Sequence, residues 1–545
     1  MACLITKRIF WTKLVCGVFG IGLLPALTVY PVLGAEKLTI SVGILEQSIP
    51  INSLEKYATT GKIDDDLAVY TKYADKKQLI QLRQVLLTRI PLNIVNVSQF
   101  LYTSIGERLL EKLGEVIQTE SHLSGFYAIR AALILAAAEP NNFTLLNVLR
   151  KFPTRSISIN LDRSLEIAVT LQDLINQTQN AVGFINEQSQ LKSSTSNLTP
   201  ELLADIKKPE SFTWQKQKII LNDQSRNRTF PADIYLPNAS NPRPIIVISH
   251  GLGSDRTSFV YLAEHLAKSG FVVAVPEHPG SNAEQLQALL AGKSQTVTSP
   301  REFIDRPLDV KYLLDELTRL SQNNPTFQGR LNLQQIGVIG QSFGGYTALA
   351  LAGAKINFEQ LNKDCPDIKN TLNISLLLQC LAINLPNTEY NLFDSRVKAV
   401  IAINPINSSI MGKASLSQIK IPLMIVSGNA DTIAPALPEQ IIPFTWLTTA
   451  NKYLVLINGG THFSTIAESP NTVVPVPIQV IGSSPALARS YVQALSVPFF
   501  QTYVSEEQNY LPYLSADYVN TISQQPLPLS LVKSLTLEQL QEAFK

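Results

Sequence analysis

The chain has 545 residues, which exceeds one ordinary domain and predicts two or more. Hydrophobic residues make up 45% of the sequence, enough to build a sizeable core. Charged residues make up 16%, and the formal net charge is only +2. Because no run of lysine and arginine forms a concentrated positive surface, a nucleic-acid partner is not expected.

The N-terminus has the pattern of a targeting signal. Lys7, Arg8 and Lys13 precede an uncharged apolar stretch over residues 14–35, which ends in Leu-Gly-Ala at residues 33–35, a small-residue cleavage site. The stretch is also long enough to cross a bilayer, so the pattern fits a cleaved signal peptide or an uncleaved anchor. Both predict an exported protein that is periplasmic, extracellular or membrane-anchored by its N-terminal segment.

Beyond residues 1–35, a change of composition near residue 205 predicts two domains. Residues 36–205 have apolar residues at helical spacing and no catalytic motif, which predicts a helical domain of unknown role. A polar stretch over residues 186–200 is typical of a linker. Residues 206–545 alternate short apolar strands with helices, which predicts an α/β fold with a mostly parallel sheet covered by helices. The predicted strands cover residues 216–221, 229–235, 244–249, 271–275, 336–339, 397–403, 423–426 and 453–457.

Two segments interrupt this alternation. Residues 355–394 hold an apolar run and are predicted to form a lid-like insertion above the site, whereas residues 466–545 predict a helical C-terminal extension. Cys365 and Cys380 both lie in the insertion. In an oxidising compartment they are expected to form a disulfide that stabilises the fold by about 3 kcal/mol; the alternative is two buried thiols.

The sequence Gly-Gln-Ser-Phe-Gly at residues 340–344 is the main catalytic signal. It lies between an apolar strand and a helical pattern, which is the context of the nucleophile-elbow motif Gly-x-Ser-x-Gly. Such a turn strains the backbone of Ser342 and requires small neighbours, which the two glycines provide. A structural glycine turn is the alternative interpretation, but it does not explain the flanking strand and helix. We therefore expect Ser342 to be a nucleophile.

A serine hydroxyl needs a base to remove its proton. The chain has five histidines, and only His462 follows Ser342. In the chain order serine, acid, histidine, His462 is thus the only candidate base. It follows Gly-Gly-Thr in a loop after the strand predicted over residues 453–457.

The base in turn needs a carboxylate that fixes its tautomer. Asp431 follows the strand predicted over residues 423–426, at the strand end where sites in open α/β sheets gather. It is the favoured acid, and Asp394 and Glu439 are the alternatives. The remaining acids between serine and histidine lie in the insertion: Glu359, Asp364, Asp367 and Glu389.

A tetrahedral oxyanion requires preorganised backbone donors. We expect one donor to be the amide of Phe343, the residue after the nucleophile. The second should come from the glycine-containing loop at residues 250–253, where Leu252 is the favoured residue. His250 precedes the serine in the chain, and we expect it to brace this loop rather than act as the base.

Four segments together carry a family resemblance: His-Gly-Leu-Gly at residues 250–253, Pro-Glu-His at 276–278, Arg-Pro-Leu-Asp at 306–309 and the elbow. They resemble the platelet-activating-factor acetylhydrolase branch of the α/β-hydrolase superfamily. This resemblance implies a Ser-His-Asp carboxylester hydrolase, in some members acting on phospholipids with short or oxidised acyl chains. The N-terminal part resembles an uncharacterised helical domain that precedes such hydrolases in secreted bacterial proteins.

One position departs from that branch, which can carry its acid just after the strand predicted over residues 397–403. Here this position holds Asn404, which cannot act as a carboxylate. Asp431 would then supply the acid from the next strand. The departure affects the inherited substrate more than the reaction type.

The sequence thus predicts an exported serine hydrolase that cleaves lipid or other apolar esters through an acyl-enzyme. No metal or organic cofactor is expected, and association with a membrane surface is a further expectation. Two alternatives stay open: an amide or thioester hydrolase with the same three residues, and an envelope binding protein with a vestigial site. Nothing in the sequence indicates an oligomeric state.

Overall fold

The computed structural model describes residues 34–42, 45–72, 75–193, 212–472 and 478–545. The chain forms two compact units. The first comprises the residues up to Ile94 with Leu113–Ser164, and the second comprises Val95–Lys112 with Leu165–Lys545. Residues 1–33 of the predicted signal lie outside the described residues. Within the described ranges, no helix has the length and apolar character needed to cross a membrane.

The first unit combines helices with a small sheet. Its strands are β1 (Lys37–Val42), β2 (Leu45–Pro50), β3 (Ile117–Gln118) and β4 (Ser156–Asn160), in the order β2-β1-β4-β3. β1 and β4 are parallel, and the other pairs are antiparallel. The prediction for residues 36–205 contained helices alone. The alternating polar and apolar residues of β1 are the signal that would have predicted a strand.

The helices up to residue 193 are α1 (Ile51–Thr60), α2 (Asp65–Thr71), α3 (Lys76–Leu87), α4 (Ile94–Leu101), α5 (Ser104–Val116), α6 (Phe126–Ala137), α7 (Leu145–Arg150) and α8 (Leu161–Ser193).

The compact units do not follow the boundary predicted near residue 205. α8 belongs to the second unit from Leu165 onward, and its Ala181, Val182 and Ile185 are buried in the main core of that unit. α8 also continues to Ser193, through much of the polar stretch predicted as a linker. Polar residues on an exposed helix face have the same composition as a linker, so composition alone does not distinguish the two.

The second unit is built on a nine-stranded sheet, and its described strands match the eight predicted ones with one addition. The strands are β5 (Trp214–Asp223), β6 (Arg228–Pro237), β7 (Arg243–Ser249), β8 (Val272–Pro276), β9 (Leu331–Gln341), β10 (Val397–Ile403), β11 (Leu423–Gly428), β12 (Lys452–Ile457) and β13 (Leu529–Val532). The order is β13-β12-β11-β10-β9-β7-β8-β6-β5. The six strands from β12 to β8 are parallel, whereas the outer pairs β13 with β12, β6 with β8 and β5 with β6 are antiparallel. The α/β fold class is confirmed.

The helices of the second unit after residue 212 are α9 (Val260–Lys268), α10 (Ala283–Leu290), α11 (Glu302–Asn323), α12 (Phe343–Leu351), α13 (Phe358–Asp364), α14 (Ser375–Gln379), α15 (Gly412–Leu416), α16 (Ile442–Trp446), α17 (Ile478–Ile481), α18 (Pro485–Tyr503), α19 (Ala516–Ile522) and α20 (Leu537–Ala543).

Both faces of the large sheet are buried, as continuous apolar strands require. In β7, Ile245 and Val247 pack into one hydrophobic cluster, whereas Ile246 and Ile248 pack into the other. The parallel arrangement brings the carboxyl ends of β7, β9, β10, β11 and β12 to one edge of the sheet. All the residues predicted to act in catalysis follow these strand ends.

The insertion, residues 355–394, is tied to this same edge. Its Asn373 and Gln379 side-chain amides donate to the buried carboxylate of Glu439, at 2.5 and 2.9 Å between nitrogen and oxygen. The Gln379 side-chain oxygen also accepts from the Ser409 amide at 2.9 Å, in the segment after β10. A disulfide joins Cys365 to Cys380 across a separation of 15 residues. The predicted lid function of this segment stays a prediction.

Replacing both Cys365 and Cys380 with alanine is expected to destabilise the second unit by about 3 kcal/mol, because the open chain regains the entropy of a loop of this length. Thermal unfolding with and without a reductant measures this effect. Reductant should lower the melting temperature of the wild type towards that of the double variant and leave the variant unchanged. Equal melting temperatures for all four samples would contradict a stabilising role.

Candidate active site

Ser342 occupies the turn between β9 and α12 in a strained conformation. Its φ is 56° and its ψ −116°, which costs a side-chain-bearing residue about 1–3 kcal/mol. The glycines of the motif are sterically required. A Cβ on Gly340 would lie 2.0 Å from the Gly344 carbonyl oxygen, and a Cβ on Gly344 would lie 2.0 Å from the Ser249 carbonyl oxygen. The turn therefore has the packing that a nucleophile elbow needs, with the serine at the N-terminus of a helix.

His462 contacts Ser342 directly. Its Nε2 lies 2.9 Å from the serine Oγ, and its Nδ1 lies 2.7 Å from Oδ2 of Asp431. The carboxylate can only accept at neutral pH, so Nδ1 carries the proton and Nε2 is free to accept from the serine hydroxyl. The loop after β12 is held in place because the Gln341 side-chain amide donates to the His462 carbonyl at 3.1 Å. The structure thus brings the predicted nucleophile, base and acid into one hydrogen-bonded chain.

Asp431 is buried, and its carboxylate accepts four hydrogen bonds. Oδ1 accepts from the amides of Ile433 and Ala434, both at 2.8 Å. Oδ2 accepts from His462 and from the side-chain amide of Asn404, the latter at 2.5 Å. Two backbone donors and one side-chain donor therefore fix this carboxylate against the imidazole.

Asn404 has a role that the sequence did not reveal. It occupies the position after β10 where the resembling branch can carry its acid, yet it contacts the same carboxylate oxygen as His462. The two alternative acid positions are therefore neighbours in space. The signal in the sequence was the position of Asn404 at the carboxyl end of β10, because β10 lies next to β11, the strand that Asp431 follows.

The alternative acids have other partners. Glu439 accepts from Asn373, Gln379 and the Ser408 hydroxyl, and also from the amides of residues 407 and 408. Asp394 pairs with Arg396 at 2.6 Å, and Glu389 pairs with Lys355 at 2.5 Å. Among the described contacts, Asp431 alone of the candidate acids bonds His462.

The loop predicted to supply an oxyanion donor lies against the nucleophile. A Cβ on Gly251 would lie 3.4 Å from the Ser342 Cβ and 2.4 Å from the Gln341 side-chain oxygen. Phe343 is the first residue of α12, so its amide has no partner within the helix. Within the described ranges, neither the Leu252 nor the Phe343 amide donates to a protein acceptor. Both are therefore available to a ligand oxygen.

His250 is buried and neutral. Its Nδ1 donates to the Gly251 carbonyl at 2.8 Å, and its Nε2 accepts from the His278 amide at 3.1 Å. Burial lowers the pKa of this imidazole to about 4; the nearby Glu277 carboxylate opposes this shift, and the Arg306 cation adds to it. This arrangement agrees with the expectation that His250 braces the loop.

Acid is therefore expected to weaken the fold through His250. The imidazole titrates near pH 6.5 in the unfolded chain and near pH 4 in the folded one, so its contribution to stability is present above pH 6.5 and is lost as the pH falls towards 4. Within that window the loss is up to about 1.4 kcal/mol per pH unit. Urea unfolding of the wild type and of His250→Gln gives the free energy of unfolding at each pH. The difference between their slopes against pH measures the contribution of His250.

His250→Gln should have a shallower pH slope than the wild type, because it lacks the buried imidazole whose pKa is lowered. Identical slopes for the wild type and His250→Gln would show that His250 is not held neutral in the folded protein.

The described residues contain no group of three or more His, Cys, Asp or Glu side chains arranged to hold a metal ion.

Comparison with known proteins agrees with the fold and the motifs. Residues 34–160 match a family described as "Alpha/beta hydrolase of unknown function (DUF1400)", and residues 206–304 match "Platelet-activating factor acetylhydrolase, isoform II". The second match includes β5 to β8 and the His250–Gly253 loop but ends before Ser342.

Among curated proteins, the chain is 22% identical over 288 residues to cutinases from Thermobifida cellulosilytica and Thermobifida fusca. The match covers 52% of this chain, with 76% of the first relative and 62% of the second, which is less than two thirds of the latter's length. With the parallel sheet and the elbow at Ser342, these matches support an α/β-hydrolase fold for this chain, with similarity to the platelet-activating-factor acetylhydrolase family over residues 206–304.

Proposed function

We propose that the protein is an exported serine hydrolase that cleaves lipid or other apolar carboxylic esters. The observation that carries this proposal is the unbroken contact chain from the Ser342 hydroxyl through His462 to the Asp431 carboxylate. Such a chain can generate an alkoxide-like nucleophile at neutral pH. A vestigial binding protein would have no need of these two buried contacts among three residues.

Acylation would begin when His462 Nε2 accepts the Ser342 proton as the serine oxygen attacks the ester carbonyl carbon. The negative charge that moves to the carbonyl oxygen would be stabilised by the free amides of Leu252 and Phe343 and by the N-terminus of α12. His462 would then donate its proton to the alcohol oxygen as the carbon–oxygen bond breaks. The products of this half-reaction are the free alcohol and an acyl group on Ser342.

Deacylation would reverse these roles with water as the nucleophile. His462 would take a proton from water, the hydroxide oxygen would attack the acyl carbon, and Ser342 would leave with the proton returned by His462. In both halves Asp431 stabilises the imidazolium and keeps the proton on Nδ1, so it acts without being protonated itself. The four hydrogen bonds to Asp431 support that role, because they hold the carboxylate in place against the imidazole.

An apolar ester is supported by the names of the similar proteins and by the surroundings of the site. The matched family is named for an acetyl ester of a lipid mediator, and the matched relatives are named for cutin. The apolar insertion is tied to the same edge of the sheet as the nucleophile. These features favour an apolar acyl chain over a charged one.

Export is supported by the N-terminal pattern and by the disulfide between Cys365 and Cys380, since disulfides persist in oxidising compartments. Association with a membrane surface fits a lipid substrate and is part of the same proposal.

A substrate panel tests the proposed reaction. Purified protein without the N-terminal signal should hydrolyse p-nitrophenyl esters, with a preferred acyl length, faster than the matched thioester and anilide. A higher kcat/KM for the anilide or the thioester would assign the same three residues to amide or thioester hydrolysis instead. No turnover of any substrate by folded protein would favour a binding role.

A further inference from the structure

A second chain of serine, histidine and aspartate lies behind the candidate site. The Ser249 hydroxyl lies 2.9 Å from Nε2 of His278, and Nδ1 of His278 lies 3.0 Å from Oδ2 of Asp309. All three residues are fully buried, so no substrate can reach them. Burial holds the pKa of His278 well below its usual value, which keeps the imidazole neutral. The hydroxyl of Ser249 therefore donates to Nε2, and Nδ1 donates to the carboxylate.

This chain ends at the loop that carries the proposed oxyanion donor. Ser249 is the last residue of β7, directly before His250 and Gly251. Its carbonyl oxygen also packs against Gly344 of the nucleophile turn, where a Cβ would lie 2.0 Å away. Any rotation of the Ser249 backbone would thus move both the loop and the elbow.

Arg306 connects the same two segments from the other side. Its guanidinium donates to the His250 carbonyl and to the Ser281 hydroxyl, the latter at 2.8 Å, and its Nη2 lies 3.5 Å from the Ser249 Oγ. The guanidinium carbon lies 4.6 Å from the centre of the Phe343 ring. One fully buried cation therefore contacts the peptide that leads to Leu252 and the side chain of Phe343.

The Asp309 end of this network is held by hydrogen bonds from two arginines. Asp309 lies one turn after Arg306 on α11, and its carboxylate accepts from Arg228 at 2.8 and 2.9 Å and from Arg226 at 3.0 Å. Arg226 and Arg228 thus hold the Asp309 carboxylate in place, and this carboxylate orients the His278 imidazole. The Ser249 hydroxyl is held in one orientation because it donates to Nε2 of His278.

We propose that Arg306 and the Ser249–His278–Asp309 chain are positioning residues that set the oxyanion loop, residues 250–253, against Ser342. The guanidinium fixes the His250 carbonyl, which sets the direction of the next peptides, and its contact with Phe343 fixes the second donor relative to the first. This inference rests on the proposed function, because it assigns a catalytic purpose to the loop. If the network served stability alone, substitutions in it would not change the turnover rate of the molecules that remain folded.

Two variants test the proposal, and they differ in how much of the network each one removes. Ser249→Ala removes one hydroxyl without changing the backbone, and Arg306→Lys keeps a positive charge but loses the planar fork that reaches the loop and Ser281. The matched control is Ser496→Ala, which removes an equally buried hydroxyl that donates to the Gln493 carbonyl on α18. Sites are counted by titration with a fluorophosphonate, so that rates refer to folded enzyme only.

Both test variants should lower kcat per titrated site by about 10- to 100-fold, with KM within about threefold of wild type, because the loop donors act mainly on the transition state. The inhibition constant of an alkylboronic acid, which forms a tetrahedral adduct on serine, should rise by the same factor as kcat falls. Ser496→Ala should change neither quantity.

Unchanged kcat per site in both variants, or a fall in kcat with no change in boronic acid affinity, would overturn the proposal. If Arg306→Lys does not fold, Ser249→Ala decides the question alone. A wild type that neither hydrolyses esters nor reacts with the fluorophosphonate would refute the proposed function itself, and this inference with it.

Discussion

Ser342→Ala is expected to lower ester turnover by about 10⁴-fold or more while the protein keeps its fold. Alanine keeps the Cβ, so the strained backbone at φ 56° and the packing of the turn are retained. Only the oxygen that lies 2.9 Å from His462 is removed. The measurement is kcat/KM for a short-chain p-nitrophenyl ester, with circular dichroism and thermal unfolding as the folding check.

Ser496→Ala serves again as the matched control and should retain wild-type turnover. The double variant Ser342→Ala with His462→Gln should be no slower than Ser342→Ala alone, because the two residues act as one unit. Undiminished turnover in Ser342→Ala would remove this serine from the reaction.

Asp431→Asn is expected to lower kcat by roughly 10⁴-fold, because asparagine can donate to Nδ1 and so favours the wrong tautomer of His462. The geometry around the residue should persist, since Oδ1 remains able to accept from Ile433 and Ala434. Stopped assays over pH 6–9 with short-chain esters measure the loss. A variant as active as wild type would reopen the choice of acid.

Glu439→Gln is the matched control for Asp431→Asn, since Glu439 is an equally buried carboxylate at the same edge of the sheet. Its contacts tie the insertion to the segment after β10, so its loss should lower the melting temperature but leave kcat per folded site within a few-fold of wild type. A loss of kcat as large as that of Asp431→Asn would instead assign the acid to Glu439.

The contact between Asn404 and Asp431 allows the catalytic carboxylate to be moved by substitution from residue 431 to residue 404. The double variant Asn404→Asp with Asp431→Asn places a carboxylate beside the position that the original one occupied. Turnover should recover in part relative to Asp431→Asn alone. No recovery would indicate that a carboxylate at residue 404 cannot reach Nδ1 of His462 in this backbone.

The three residues that the structure brings into one hydrogen-bonded chain each follow a strong local pattern in the sequence. The elbow is encoded in five consecutive residues whose steric demands are visible in the glycines. His462 could be chosen by elimination, because few histidines occur and only one follows the serine. The central strands were predicted because β7 to β12 are buried on both faces and read as continuous apolar runs.

What the sequence did not reveal depends on contacts between distant residues. The Ser249–His278–Asp309 chain joins β7, the loop after β8 and α11, and no local spacing relates these three residues. β13 was missed because Leu529–Val532 is only four residues long and pairs with β12 from far along the chain. The alternation in β1 was not recognised as a strand because buried positions of this small sheet hold polar residues, such as Thr39 and Ser156, whose hydroxyls bond each other at 2.6 Å.

The most direct test of the central claim is to identify the residue that a fluorophosphonate modifies in the active protein. Mass spectrometry of the digested adduct should find one modified peptide, with the label on Ser342, and loss of ester turnover should parallel its formation. Ester turnover that continues after Ser342 is fully modified, or a label on a different residue when turnover stops, would contradict the account.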